Sequence, residues 1–366
     1  MSHLFDEFKL RDVTLPNRIG VSPMCQYSCE DGYANDWHFA HLSARAVGGA
    51  GLVFTEAAAV TPDGRISPED LGAWSETHFE PLERIARFIR SQGAAAGIQL
   101  AHAGRKGSTF RPWAGKSGSV PQAEGGWRTP GPSPVSFGAG YAAPEELGVE
   151  RIGMLAQAFV TAAKRAWAAG FRVIEIHAAH GYLFHEFLSP LSNLRKDSYG
   201  GSFDNRARFL LDCVAAMRRE LPDRCPLFVR ISSTDWTEGG WDIAQSVELA
   251  RRLKGLGVDA IDCSSGGNVE NARIPVGAGY QVPFAERIRR EAGIATAAVG
   301  MIVAPTQADQ IVRNGEADMV LLAREFLRDP YWPLRAAREL GHPAPWPAQY
   351  LRAAPKDSPM RGAPGQ

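Results

Sequence analysis

The sequence predicts an α/β protein, and within that class a closed (β/α)8 TIM barrel. Short apolar runs rich in β-branched residues alternate with amphipathic helical patterns along most of the 366 residues. Seven of the eight strand candidates lead into helical crossovers and the eighth into a closing helix; eight parallel units in roughly 250 residues or more is the arithmetic of a barrel. Polar or chemically special groups stand at the carboxyl end of nearly every strand candidate, where a barrel keeps its chemistry.

The elements follow in order. A strand at 18–24 precedes a helix at about 36–47; 51–60 reads as strand, 79–91 as helix and 97–102 as strand. The Gly/Pro-rich segment 104–144 is too long for an ordinary connection and reads as a functional or mobile loop. Helix resumes at about 145–169. The run 171–177 is nearly continuous in apolar residues, as expected of a strand covered on both faces. Helix 206–220 and strand 226–232 come next, and Asp242 with Gln245 forms a capping box for a helix to Leu256. Strand 260–264, helix 284–291 and strand 296–301 follow. Thr306 with Asp309 caps a helix ending near Gly315, 319–323 is the last strand, and Pro330 after Asp329 opens a helix to Leu340. The tail from Gly341 reads as irregular, with its last ten or so residues disordered. A doubly wound dinucleotide fold is disfavoured, because Gly48-Gly49-Ala50-Gly51 lies between a helix and a strand, the wrong place for a phosphate loop. One domain spanning 1–366 is expected.

The strand ends carry the functional signal. The fourth delivers His177, His180 and Tyr182 around Gly181, two imidazoles and a phenol able to polarise a substrate oxygen and supply a proton. The last three ends offer Ser264–Gly267, Gly300 and Arg324, small residues and a guanidinium suited to a phosphate held by the loops after strands seven and eight. Arg230, near the middle of the mouth, needs an acid or an electron-rich ligand atom as partner. His177, His180, His185 and Glu186 could be drawn as a zinc set, but a glycine-containing turn separates them and no metal is expected. Buried histidines satisfied by their neighbours are the plain alternative for the pair.

Bulk properties narrow the classes. Lys plus Arg and Asp plus Glu are both 40, so no net charge argues for nucleic acid. Arg251–Arg252 and Arg287–Arg290 read as solvated helix faces. Five cysteines form no dense framework and suit a reducing compartment. The N-terminus lacks a signal-peptide pattern, and no run reaches the ~20 apolar residues a membrane span needs; a cytoplasmic location is the expectation.

Several motifs carry a resemblance. SPMCQYS at Ser22–Ser28, QLAHAGRK at Gln99–Lys106, the long EIHAAHGYLFHEFLSPLSNLRKDSYGGSFDNRARF at Glu175–Phe209 and the late Gly300/Arg324 pair resemble the old yellow enzyme family of FMN-dependent ene-reductases. Cys25, Tyr27 and GRISPEDLG at Gly64–Gly72 resemble its thermophilic-like branch, which includes xenobiotic reductases. The resemblance implies FMN across the barrel mouth. Backbone at Pro23, Met24 and Ala57 would meet the ring system, Gln99 and Arg230 its pyrimidine edge, and Ser265, Gly266, Gly300 and Arg324 the phosphate. By the same resemblance His177 and His180 grip the oxygen of the substrate's activating group, Tyr182 is the proton donor, and Cys25 lies near the flavin and tunes it. Tyr27 and Ile66 would line the substrate pocket. Met301 or Ile302 stands where xenobiotic reductases place a tryptophan.

The implied reaction takes hydride from NADPH, in preference to NADH, and reduces the activated C=C bond of an α,β-unsaturated carbonyl compound, with nitro compounds or quinones as further acceptors. Hydride and the Tyr182 proton arrive on opposite faces, giving anti addition. A homo-oligomer, dimer or tetramer, is also implied, with Arg352 reaching a neighbouring active site. Two other classes stay open on the residues alone: a barrel lyase or aldolase on a phosphorylated substrate, and a non-catalytic flavin-binding protein.

Overall fold

The computed structural model describes residues 3–356 and 358–361. Strands β1 (Ile19–Val21), β2 (Leu52–Ala59), β3 (Ala95–Ala101), β4 (Val173–Ala178), β5 (Leu227–Ser232), β6 (Ala260–Ser264), β7 (Ala295–Ala298) and β8 (Met319–Leu322) close into a barrel in chain order. Every neighbouring pair is parallel. The expected (β/α)8 barrel is therefore the fold observed. Around it run α1 (Asp36–Val47), α2 (Phe79–Ser91), α3 (Val149–Ala168), α4 (Leu183–Leu188), α5 (Phe203–Glu220), α6 (Ile243–Gly255), α7 (Val282–Ala292), α8 (Pro305–Arg313), α9 (Arg324–Arg328) and α10 (Trp332–Glu339).

Strand parity divides the core in two. Successive side chains point to opposite faces, so Ile174, Ile176, Val229 and Ile231 pack outward with helical residues such as Phe159, Phe184 and Phe209. Val173, Phe228 and Ala260 point inward and join Leu52, Phe54, Met319 and Leu321 in a separate cluster filling the lower lumen. An antiparallel hairpin, Phe8–Leu10 with Val13–Leu15, adds Leu10 and Leu15 to that cluster and plugs the bottom; the sequence reading did not anticipate it. Phe228 is fully buried, and Phe228→Ala would cost roughly 3–5 kcal/mol in lost transfer energy and cavity.

Several boundaries differ from expectation for local reasons. Helix α3 starts at Val149 because Glu145–Glu146 pairs with Pro130–Gly131 as a short strand. Asp242 accepts from Gln245 N–H at 2.8 Å as a cap should, but the Gln245 side chain accepts from Arg206 instead of closing the box. Thr306 and Asp309 do not cap α8, which opens on Pro305; Asp309 instead accepts from the Leu4 N–H at 3.0 Å and from Arg313. The stretch after β8 forms two helices, broken at Asp329, whose carboxylate takes the Tyr331 N–H at 2.9 Å; Pro330 lies in the break and α10 begins at Trp332.

The 104–144 excursion is ordered and tied down at the mouth. Arg105 donates to Asn268 O at 2.7 Å, and its own N–H donates to Glu186 at 2.8 Å. Trp127 donates to Asp63 O at 2.9 Å, and Arg65 is sandwiched by Trp74 and Trp127. In the tail, Ala348–Ala353 forms a 3-10 helix and Arg361 donates to Ala46 O at 3.1 Å. The end expected to be disordered thus includes residues that are packed; Asp357 and residues 362–366 lie outside the described residues. Among the described residues no helix is long and apolar enough to cross a membrane.

Candidate active site

His177 sits near the end of β4 on the face of Val173 and Glu175, hence inward. Its Nδ1 accepts the Ala179 N–H at 3.3 Å, which leaves the ring proton on Nε2. His180 takes a left-handed conformation, φ 59°, a strained backbone state costing of order 1–3 kcal/mol. Its N–H donates to Ser232 Oγ at 2.9 Å and its Nε2 lies 2.6 Å from Ser264 Oγ, so β5 and β6 hold the strained turn. Two glycines permit the close packing there. A Cβ at Gly181 would meet Gly267 O at 2.3 Å, and one at Gly267 would meet the His180 backbone at 2.6 Å.

This turn gathers three polar rings. His177 stands perpendicular to His180 with centroids 5.1 Å apart, and 5.0 Å from Tyr182 at 82°. Burial, with Arg230 adding to it, holds both imidazoles well below the usual histidine range, so they are neutral. Burial first, then the neighbouring Cys25, Tyr27 and Asp70, pushes the Tyr182 phenol well up, so it keeps its proton. His185, one helical turn on, faces elsewhere: its Nδ1 accepts the Gly181 N–H at 2.9 Å and its Nε2 meets Asp235 at 2.8 Å. It does not converge with the other two histidines.

Beneath the rings lies a charged layer. Arg230, beside His177 in register on β5, pairs through Nε with Asp262 Oδ2 on β6 at 3.1 Å and donates through Nη1 to Ser22 Oγ at 3.0 Å. Gln99 on β3 donates to Glu175 Oε1 at 2.7 Å. The partner that Arg230 requires is thus an acid, Asp262, while its Nη2 donates to no described group.

A cavity of about 280 Å³ opens toward the ends of β6–β8, lined by Arg230, Ser264, Gly300, Met301, Arg324 and Arg328 among others. Gly300 has φ 124°, and a Cβ there would come within 2.9 Å of Gln281 Nε2. Arg324 opens α9 and forms no hydrogen bond or ion pair with a described group, whereas Arg328 is held by Glu325. An unpaired guanidinium beside close-approaching backbone fits an anionic phosphate, and the free Nη2 of Arg230 fits the electron-rich edge of a ring. Of the four residues expected at the phosphate, Gly300 and Arg324 line this cavity. Ser265 Oγ instead donates to Gln281 at 2.6 Å, and the Gly266 N–H donates to Thr234 O at 2.8 Å.

Beyond β1, the strand next to β8, Pro23, Met24, Cys25 and Tyr27 are half-buried. Tyr27, also left-handed at φ 49°, presents its ring to Trp113 at 5.8 Å. Ala57 lies opposite Gln99, just past an irregularity in β2. Burial and the nearby Asp70 and Glu56 push the Cys25 thiol well up, so it is uncharged. Ile66 is fixed by its backbone to Asp70 at 2.9 Å and to Thr109 at 2.8 Å. Met301, at φ 51°, is partly exposed on the cavity wall, and Ile302 is buried. Arg352 is exposed on the 348–353 segment and does not line the cavity of its own chain.

Sequence reasoning missed Glu175, Asp262, Lys106 and Gln281. The first two had a usable signal, since each is two residues before an inward strand-end group, His177 and Ser264. Lys106 had none: its Nζ donates to His180 O at 2.8 Å and Gly267 O at 2.9 Å only because the excursion folds back. A further buried group, Cys29, His38 and Glu56, brings His38 Nε2 to 3.0 Å from Glu56 and 3.3 Å from Cys29 Sγ, distances that a hydrogen-bonded cluster explains.

Comparison with known proteins adds to this geometry. The family model described as NADH:flavin oxidoreductase / NADH oxidase matches residues 3–342. The NADPH dehydrogenase of Geobacillus sp. (strain WCH70) is 50% identical over 351 residues, 95% of this chain and 98% of that protein. That of Bacillus subtilis (strain 168) is 47% identical over 355 residues, 95% of this chain and 98% of that one. Among solved structures, a 2-naphthoyl-CoA reductase superposes with TM-score 0.83 at 27% identity over 93% of this chain, which spans about half of that one (52%). Morphinone reductase superposes with TM-score 0.77 at 24% identity, over 94% of this chain and 92% of that one, and speaks for the fold alone.

Proposed function

The chain belongs to the NADH:flavin oxidoreductase / NADH oxidase family, the old yellow enzymes, and from that premise we propose that it is an FMN-dependent ene-reductase drawing on NADPH. The observation that carries the reading is the trio His177, His180 and Tyr182, centroids 5.0–5.1 Å apart around His177, beside a cavity with an unpaired Arg324. FMN, when bound, would supply two-electron chemistry, accepting hydride from NADPH and passing it to an activated C=C bond. Gly300 and Arg324 would hold its phosphate, Arg230 and Gln99 its pyrimidine edge, and the half-buried Pro23–Cys25 stretch with Ala57 its ring face.

The protein's own residues supply the rest. His177 donates from Nε2 to the substrate's carbonyl oxygen, with His180 beside it, and the two share the charge that develops there. A neutral imidazole can do this without the desolvation cost of a buried cation. Tyr182 delivers a proton to the α-carbon from the face opposite the hydride, and its raised pKa keeps that proton available at neutral pH. Tyr27 and Ile66 shape the pocket, with Trp113 packed against Tyr27. Nitro compounds and quinones present the same flat, polarised oxygen and fall within the proposal.

The barrel, its excursion and its tail would act as one domain, in a homo-oligomer that brings Arg352 to a neighbouring mouth, in the cytoplasm. The test is a visible spectrum of the purified protein titrated anaerobically with NADPH and then cyclohexenone. Bleaching of a flavin band and its return on adding enone are expected; a colourless protein with no affinity for FMN would overturn the reading.

A further inference from the structure

The lumen holds two acids for one base. Inward positions of β1, β2, β7 and β8 below the mouth are apolar or glycine, namely Gly20, Leu52, Phe54, Ala297, Met319 and Leu321. Among the described residues charge enters this layer only from β4, β5 and β6, as Glu175, Arg230 and Asp262, with the neutral His177 above, Gln99 on β3 and Ser22 beyond β1 as polar neighbours. Glu175 and Asp262 are fully buried, and among the described residues Glu175 Oε2 and both Asp262 carboxylate oxygens have no hydrogen-bond partner, the Arg230 ion pair aside. One guanidinium cannot neutralise two carboxylates in a medium where an isolated buried charge costs several kcal/mol.

We propose that Glu175 and Asp262 share a proton beneath the flavin seat, and that this proton is coupled to the charge the cofactor carries. The inference rests on the reading that FMN occupies the mouth over Arg230. With one proton on the pair, Arg230 and a single carboxylate balance. Losing it leaves a net negative charge directly under the pyrimidine edge. Burial raises both acids, Asp262 to about 6 and Glu175 well above the usual range, each partly offset by Arg230. A hydride from the reduced nicotinamide brings two electrons and one proton, adding one negative charge to the cofactor. The pair answers by taking up one proton from water, so the summed charge of cofactor and layer is unchanged.

Gln99 is the means by which the proton is also felt sterically. An ionised Glu175 takes the Gln99 amide N–H, leaving the Gln99 carbonyl to face the mouth. A protonated Glu175 can donate to that carbonyl and turn the amide donor outward. The two states therefore present opposite hydrogen-bonding groups to the ligand.

The test is the pH dependence of the flavin reduction potential in the holoprotein, with redox-difference infrared spectra over the same range. Between the pair's titrations in the oxidised and reduced forms, wild type should show one extra proton per two electrons. That is a tenfold change in the reduction equilibrium per pH unit, about 30 mV beyond the one-proton slope. Glu175→Gln should abolish the extra slope, and wild type should show a carboxyl C=O band change that shifts in D2O. If Glu175→Gln does not fold, Asp262→Asn and the wild-type infrared band decide the matter. A flavin that binds normally, with a one-proton slope and no carboxyl band in wild type, would sink this inference alone. A protein that binds no flavin would sink the underlying functional reading with it.

Discussion

The Lys106 ammonium lies 5.2 Å from the centre of the Tyr182 ring, fixed by the carbonyls of His180 at 2.8 Å and Gly267 at 2.9 Å. One cation thus clamps the turn after β4 to the loop after β6 and rests against the proposed proton donor. Burial pulls its pKa down to about 8 from 10.5, with Arg105 adding to the effect. Activity should therefore fall as pH rises through about 8 and the clamp loses its charge. Stability should move the other way. Because the native pKa is depressed, the unfolded chain binds the proton more tightly, and folding gains free energy between pH 8 and 10.5. Lys106→Met should lower kcat/KM about 10- to 100-fold by loosening the turn and flatten the profile above pH 8; paired pH–rate and denaturation curves check both signs.

Tyr182→Phe should leave reduction of the protein by NADPH intact and slow the enone-dependent half-reaction about 10²- to 10⁴-fold, the usual worth of a positioned acid. His177→Ala should cost about 10²- to 10³-fold in the same step. Both imidazoles titrate well below 6.5, so protonating them should not reduce the wild-type rate between pH 7 and 6.5. Stopped-flow measurement of the two half-reactions separates these effects, and a Tyr182→Phe variant equally slow in both would contradict the assigned role.

Gly267→Ala places a Cβ 2.6 Å from His180 Cα at a residue with φ 90°. Overpacking against backbone and the left-handed strain together should destabilise by about 2–4 kcal/mol. The displaced histidine should also reduce turnover at temperatures where the variant remains folded. Thermal unfolding and activity measured on one sample test this.

Arg324→Ala removes the unpaired guanidinium of the cavity. A charge-assisted contact of about 1.5–3 kcal/mol corresponds to a loss of roughly 10- to 150-fold in FMN affinity. Reconstitution of the apoprotein followed by flavin fluorescence gives the number. The structure's thermal stability without flavin should change little, because Arg324 bonds no described group.

The fold and the upper rim were legible because their signals are local. Apolar runs of β4, β5 and β6 announce strands buried on both faces; His177 lies near the end of β4, and His180 and Tyr182 follow directly after it. Helices α1 and α2 fall on their expected bounds. Failures occurred where a distant contact overrode a local pattern. Asp309 resembles a cap but is claimed by Leu4 N–H, 305 residues away in sequence. The bottom hairpin escaped notice because three-residue strands carry too little periodicity to register.

Periodicity alone therefore determined that this chain is a barrel and which loop ends bear imidazole, phenol and guanidinium, since alternation and helical repeat are written residue by residue. Tertiary closure decided who shares the interior. Only when β4, β5 and β6 lie side by side do Glu175, Arg230 and Asp262 become two acids around one base, and only when the excursion folds back does Lys106 reach Tyr182. Those neighbours are set by register and by long-range packing, and neither leaves a trace in the spacing of a single strand.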